Sequence, residues 1–338
     1  LYQVYAYTLN TYHLPIETPI RNLRPARETC EECHWPEKFS GNLEKTFHHT
    51  LRDEENTPYT IRLLLKVGGK KGETASGIHW HVSSGHKIEY IATDKDRLEI
   101  PWVRMTDPSG KTTVFTSEDC PPDIASSTRE VRTMDCIDCH NRPSHIFNNP
   151  FMMVDNAIAA GEIPTSLPNV KGTVMDILEK THPSTSAALE AIDQGLSNAY
   201  LAADEPPDAT RTQAVSRARQ TVQQIYSQNF FPEMGVDWTT HPNFIGHFHW
   251  KGCYRCHDGT HKAETGQVIS HDCNSCHEII GQGEGHDKAI NPPYAVSEFN
   301  HPMDMGPLEP GANCTDCHAA PPPADYSGSS TESTHAQR

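Results

Sequence analysis

Cys253-Tyr254-Arg255-Cys256-His257, Cys273-Asn274-Ser275-Cys276-His277 and Cys314-Thr315-Asp316-Cys317-His318 crowd the last third of the chain, and two earlier stretches repeat their spacing: Cys30-Glu31-Glu32-Cys33-His34 and Cys136-Ile137-Asp138-Cys139-His140. Two thiols three positions apart on one helical turn reach the two vinyl groups along one porphyrin edge, and the next residue aims its imidazole at the iron. C-x-x-C-H is therefore the attachment signature of c-type haem. Read this way, the ten cysteines form thioether bonds to five covalent haems, and His34, His140, His257, His277 and His318 are proximal iron ligands.

The alternatives for C-x-x-C pairs are zinc knuckles and redox dithiols. Histidine is 21 of 338 residues, about 6%. The chance that all five pairs are followed by histidine is on the order of one in a million, and zinc ribbons do not need that residue. The chain has 11 cysteines, an odd number, so a fully paired internal disulfide framework is excluded. Cys120, in Glu118-Asp119-Cys120-Pro121-Pro122, is left over; it reads as a buried inert thiol, with an intermolecular or reactive role as the alternative.

Composition fits this reading. The chain carries 44 acidic against 28 basic side chains, a net charge of −16, with 36% hydrophobic residues and 26 prolines. An acidic balance argues against nucleic acid as a partner. No run approaches the length of a membrane span. So low an apolar content leaves a side-chain core of usual size hard to assemble, and porphyrin faces are expected to supply part of the interior.

The expected fold is a multihaem cytochrome c, mainly helical and irregular, with a small inserted antiparallel sheet and a haem-packed core. Residues 1–58 hold the first motif and open on a short helix-like stretch from Leu1 to Leu9. A β-rich segment follows at 59–118, with strands over Ile61–Val67, Ile78–Val82, Lys87–Ala92, Trp102–Met105 and Thr112–Phe115, and a turn at Asp107–Lys111. The second motif lies in 119–150. A cysteine-free helical segment fills 151–239, with helices over Val170–Leu178, Ser184–Ala203 and Ala209–Tyr226. Motifs three to five occupy a haem-dense segment at 240–320, and 321–338 reads as a flexible tail.

Each iron has a sixth position to fill, and a second histidine there favours electron transfer over substrate chemistry. His79 and His81, two apart on an expected strand, share one face, and one of them is a candidate. His145, His247, His261 and His301 are the other candidates, with His249 competing at His247. His48, His49, His86, His182, His241, His271, His286, His335 and His13 rank below them. Arg142 and Arg255, with Arg27 and Arg104 behind them, are candidates to pair with haem propionates.

Several phrases resemble the NapC/NirT-type multihaem cytochromes c: Leu23-Arg24-Pro25-Ala26-Arg27-Glu28-Thr29 running into the first motif, Gly77-Ile78-His79-Trp80-His81, Met134-Asp135 running through the second motif to His145, and Gly252 running through the third to Gly259. The resemblance spans about residues 15 to 320. It implies mostly bis-histidine haems, a membrane helix and one or two further motifs preceding the matching segment, and transfer of electrons from membrane quinol to redox partners. The part associated with quinol oxidation is not carried over, since the matching segment starts after it.

Three functions compete. The first is a relay of single electrons between membrane or periplasmic redox proteins, with a membrane quinol-linked donor among the candidate partners. The second is a nitrogen- or sulfur-oxyanion reductase with one open haem, against which all five motifs retain their histidine. The third is a subunit of a larger redox assembly, or of a filament of copies of this chain. Haem c is attached outside the bacterial inner membrane, so the expected location is exported or periplasmic, anchored only through a segment preceding Leu1. The acidic surface suits a basic redox partner.

Overall fold

The computed structural model describes residues 2–9, 11–12, 15, 29–34, 41–68, 77–82, 85–142, 146–201, 208–285, 296–306 and 312–326. It opens with helix α1, Tyr2–Thr8. Strands β1, Leu43–Thr50, and β2, Pro58–Leu65, pair antiparallel in strict register from Leu43 opposite Leu65 to Thr50 opposite Pro58. Strands β3, Lys87–Ile91, β4, Trp102–Thr106, and β5, Thr112–Thr116, form an antiparallel meander. The expected turn between β4 and β5 is present: the Asp107 carboxylate accepts from the backbone N–H of Ser109 and Lys111 at 2.9 and 3.0 Å. Strand β6, Arg132–Thr133, adds to the outer side of β3.

Four helices follow: α2, Pro150–Ala159; α3, Val170–Leu178; α4, Thr185–Tyr200; and α5, Ala209–Asn229. Polar side chains start three of them, with Asn149, Ser184 and Asp208 accepting from the backbone N–H groups of Met152, Ala187 and Arg211. Helix α3 takes its cap from elsewhere. Asn56, in the β1–β2 turn and 2% exposed, accepts from the Val170 N–H at 2.8 Å and donates to the Leu167 carbonyl at 2.8 Å. The apolar faces meet in one cluster that includes Val154, Leu167, Met175, Ile192, Leu196, Val215, Val222, Tyr226 and Trp238. In α4 the buried positions Ala188, Ile192, Leu196 and Tyr200 recur every four residues, which makes one continuous stripe.

The last elements are β7, Lys262–Ala263, β8, His277–Glu284, and α6, Cys314–His318. Here the structure departs from the sequence reading in three ways. First, there are two sheets rather than one, ordered β1-β2-β8 and β6-β3-β4-β5-β7, and each recruits a strand from the haem-dense segment. The β-rich stretch therefore completes its edges with chain from more than 140 residues downstream, as in the pairing of Phe115 with Ala263. Second, Ile78–Val82 is a 3₁₀ turn and not a strand. Third, the extensive buried core is aliphatic and aromatic and lies among α2–α5. A core packed by haem is not what fills that half of the molecule.

Within the expected tail, residues 321–326 return over the helical segment. The Ala324 N–H donates to Thr239 Oγ1 at 3.3 Å, and Tyr326 Oη donates to the buried Asp237 carboxylate at 2.7 Å. Residues 327–338 lie outside the described residues.

Candidate haem-binding site

Each C-x-x-C-H motif folds as a single tight turn. In the first two motifs the histidine N–H donates to the carbonyl of the first cysteine at 2.7 Å, for His34 to Cys30 and His140 to Cys136, and in the third His257 does so to Cys253 at 3.1 Å. This closes the turn and sets both thiols on one side of it, i and i+3. The residue before the first cysteine nucleates the turn. Asp135 caps Cys136 N–H at 2.6 Å, Asp272 caps Asn274 N–H at 2.9 Å, and Asn313 caps the α6 turn in a reciprocal box with Asp316. In the third motif the position belongs to Gly252, at φ +48°, where a Cβ would collide with the Gly246 carbonyl oxygen.

Burial pushes Cys136, Cys139 and Cys276 up to about 11 and Cys256 up to about 12. Exchange-active dithiols need the opposite shift. Among the described residues no three metal-ligating side chains converge. Cys120 also rises on burial and packs beside Ile91, Trp102 and Ile124, as expected for an inert thiol.

The histidines supply the decisive geometry. Four motif histidines each face a non-motif histidine. The ring centroids are 6.4 Å apart for His79 and His140, 6.0 Å for His247 and His277, 6.2 Å for His301 and His318, and 5.7 Å for His81 and His257. Two imidazoles bound on opposite sides of one metal at about 2 Å each place their centroids about 6 Å apart. In the last pair His81 Nδ1–H donates to the Ile78 carbonyl at 2.8 Å, and His257 Nδ1–H donates to the Ser270 carbonyl at 2.7 Å. Those bonds fix the tautomers, so both Nε2 atoms carry lone pairs, and the two Nε2 atoms face each other across 3.5 Å. Two acceptors aimed at one another call for an electron-pair acceptor between them, and an iron is one.

Burial lowers the pKa of His79, His81, His247, His277 and His318, which keeps them in the neutral form that ligates metal. Around the His301–His318 gap, Phe248 stacks on His318 at 4.6 Å while 44% exposed, and Met303 is 58% exposed. A flat apolar macrocycle in that gap would cover both. The donor set, the spacing and the uncovered apolar rim fit haem.

The shared strand face expected for His79 and His81 is corrected, because both lie on a 3₁₀ turn. Gly77, at φ +80°, leaves no room for a Cβ beside the Lys66 carbonyl, and Ile78 and His79 hang from the end of β2 through N–H bonds to Lys66 and Val67 at 2.8 and 3.0 Å. On the resulting turn the two imidazoles diverge, one toward the second motif and the other toward the third. Trp80 packs into the second sheet's cluster and stacks against His86 at 4.3 Å.

His261 is instead a structural residue. It is 1% exposed, with Nδ1 on Asp258 at 2.9 Å and Nε2 on the Ile100 carbonyl at 2.7 Å, so neither nitrogen is left for iron. His249 packs between Phe151 and Trp238, with Nδ1 on the His318 carbonyl. His145 lies outside the described residues. His34 faces no imidazole among the described residues.

The site is of a kind that c-type haem would fit. In keeping with it, the chain is 46% identical over 327 residues to the cytochrome c-type protein ImcH of Geobacter sulfurreducens, an alignment that covers 95% of this chain and 62% of that protein. The chain thus spans less than two thirds of its relative's length. No family model matches the chain, and the NapC/NirT likeness rests on the phrases quoted above. No solved structure matches it. Among the described residues no helix is long and apolar enough to cross a membrane.

Proposed function

We propose that the chain is a pentahaem c-type cytochrome of NapC/NirT type that relays single electrons between periplasmic or membrane-linked redox partners. The supporting observation is the set of four facing imidazole pairs, above all His81 and His257 with opposed Nε2 atoms. Haem supplies one-electron exchange between ferric and ferrous iron. The residues do the rest. Cys136 with Cys139, Cys253 with Cys256, Cys273 with Cys276 and Cys314 with Cys317 would tether four of the groups, and His79, His81, His247 and His301 would offer their imidazoles to the irons and exclude substrate. Cys30, Cys33 and His34 hold the fifth. His79, which faces His140 of the second motif, and His81, which faces His257 of the third, sit on one five-residue turn and would each offer a nitrogen to a different iron. The net charge of −16 favours a donor or acceptor with a basic face.

The test is an electron paramagnetic resonance spectrum of the oxidised holoprotein beside His81→Ala. The wild type is expected to show low-spin signals, and the variant to convert one haem to high spin while the others stay unchanged. A variant spectrum identical to wild type would overturn the assignment.

A further inference from the structure

Between the second and third motifs lies a buried charged cluster that neither attachment nor ligation uses. Asp138, inside the second motif and 1% exposed, accepts at Oδ1 from Arg97 Nη1, Arg132 Nε and Tyr90 Oη, each at 2.7 Å, and at Oδ2 from the Asp135 N–H at 2.7 Å. Arg255, inside the third motif and 8% exposed, donates to three carbonyls: Asp138 at 2.7 Å, Gly252 at 2.8 Å and Arg97 at 3.0 Å. Its guanidinium carbon sits 3.8 Å from the centre of the Phe244 ring. Among the described residues no carboxylate pairs with Arg255. Arg97 adopts a left-handed backbone at φ +58°, rare for a residue with a side chain, held because both its carbonyl and its guanidinium are engaged.

Two guanidinium groups, those of Arg97 and Arg132, thus hold one buried carboxylate, and a third, that of Arg255, is held at the same residue's backbone carbonyl. The neighbouring acids do not restore balance at Arg255: Asp135 caps the second motif's own turn, and Glu130 is exposed to screening solvent. Arg255 adjoins Cys256, and through the Asp138 carbonyl it adjoins Cys139, so it lies one residue from a thioether position of each haem. Resting on the relay reading above, we propose that Arg255 is a positioning residue whose unpaired positive charge, clamped at the Asp138 carbonyl, raises the reduction potentials of the second and third haems and makes that pair the place where an electron comes to rest.

The physics is direct. Reduction adds one electron to ferric iron with no proton, lowering the charge of the centre by one, and a fixed cation in a water-poor site favours that state. An acidic chain with −16 overall holds its haems in a field that disfavours electrons, so a local cation separates two haems from the other three.

The experiment is a potentiometric titration of the holoprotein with dithionite as one-electron donor, followed optically and by paramagnetic resonance, for wild type, Arg255→Gln and Arg255→Lys. Arg255→Gln is expected to lower two of the five potentials, cutting the reduced-to-oxidised ratio of those haems about tenfold at fixed potential, roughly 59 mV for one electron. Arg255→Lys keeps the charge but not the three-carbonyl clamp, and is expected to shift them by less than half as much. Equal shifts in both variants, a shift of all five haems, or no shift would overturn the proposal. If Arg255→Gln fails to load haem, Arg132→Gln, at the cluster's edge, is expected to move the same two potentials in the same direction by a smaller factor, and no movement there overturns the proposal. Intact mass and the low-spin signals of the same samples report separately on the relay: a haem count other than five, with no low-spin iron, would sink the relay reading itself.

Discussion

The segment 150–238 and the segment 240–326 are similar in length and opposite in construction. In the first, aliphatic stripes on α2–α5 meet in a closed core, with Val154, Val174, Ile192, Leu196, Val215 and Val222 fully buried. In the second, the buried apolar residues among those described are Phe244, Ala263, Ile279 and Ile280, while Ile245, Phe248, Val268, Phe299, Met303 and Met305 are exposed. One segment carries its own interior in its side chains. The other leaves apolar side chains exposed beside facing imidazoles. At about 25 cal/mol per Å² of apolar surface, covering that rim with macrocycles is worth many kcal/mol, and the helical segment needs none of it.

The sharpest way to break this contrast is to withhold haem attachment. The chain made without it is expected to lose ordered structure at 240–326 and keep a protease-resistant helical fragment over about 146–238, read by limited proteolysis and mass spectrometry. Uniform digestion of both segments would end the comparison.

The next effect tests the joint between the helical segment and the first sheet. Asp155, 2% exposed, pairs with Lys171 at 2.7 Å and accepts from the Thr50 N–H at 2.9 Å, clipping α2 and α3 to β1. Lys171→Ala leaves the buried carboxylate with only the Thr50 N–H and His49, whose Nδ1 is 3.4 Å away, and is expected to cost about 3 kcal/mol in denaturant unfolding, without changing the haem spectra. Smaller is Tyr326→Phe, which removes the bond to buried Asp237 and is expected to cost about 1–2 kcal/mol in the same measurement.

The smallest effect is a pH dependence in the second sheet. The bond from Arg104, joined by Lys87, holds the Glu89 carboxyl below its usual 4.5. A carboxylate depressed in the folded state binds protons more readily when unfolded, so its contribution is present above about pH 4.5 and lost as pH falls through the lower, folded value. The thermal midpoint of Glu89→Gln is expected to fall less steeply than that of wild type between pH 5 and 3.

Much of the helical segment was legible in advance, because period-four apolar stripes and side-chain caps are local: Val170–Leu178 appears as expected, and Ser184 caps the next helix. Strands β3, β4 and β5 were legible for the same reason. The turn at Gly77–Val82 was not, since alternation in Ile78-His79-Trp80-His81-Val82 mimics a strand, and only the collision of a Cβ with the Lys66 carbonyl marks Gly77 as a turn residue. Nor was His261, whose sequence surroundings resemble those of the ligand candidates but whose nitrogens are both taken by Asp258 and Ile100.

By itself the sequence determined the chemistry: the positions of thiols and imidazoles, their number, and the turn that each motif must form, because those are fixed by covalent spacing and by caps one residue away. Only the tertiary structure decided the partners. Why His79 faces the second motif and its near neighbour His81 the third, and why Arg97 and Arg255 both reach Asp138, depend on contacts between residues about 40 to 180 positions apart, and nothing local encodes them.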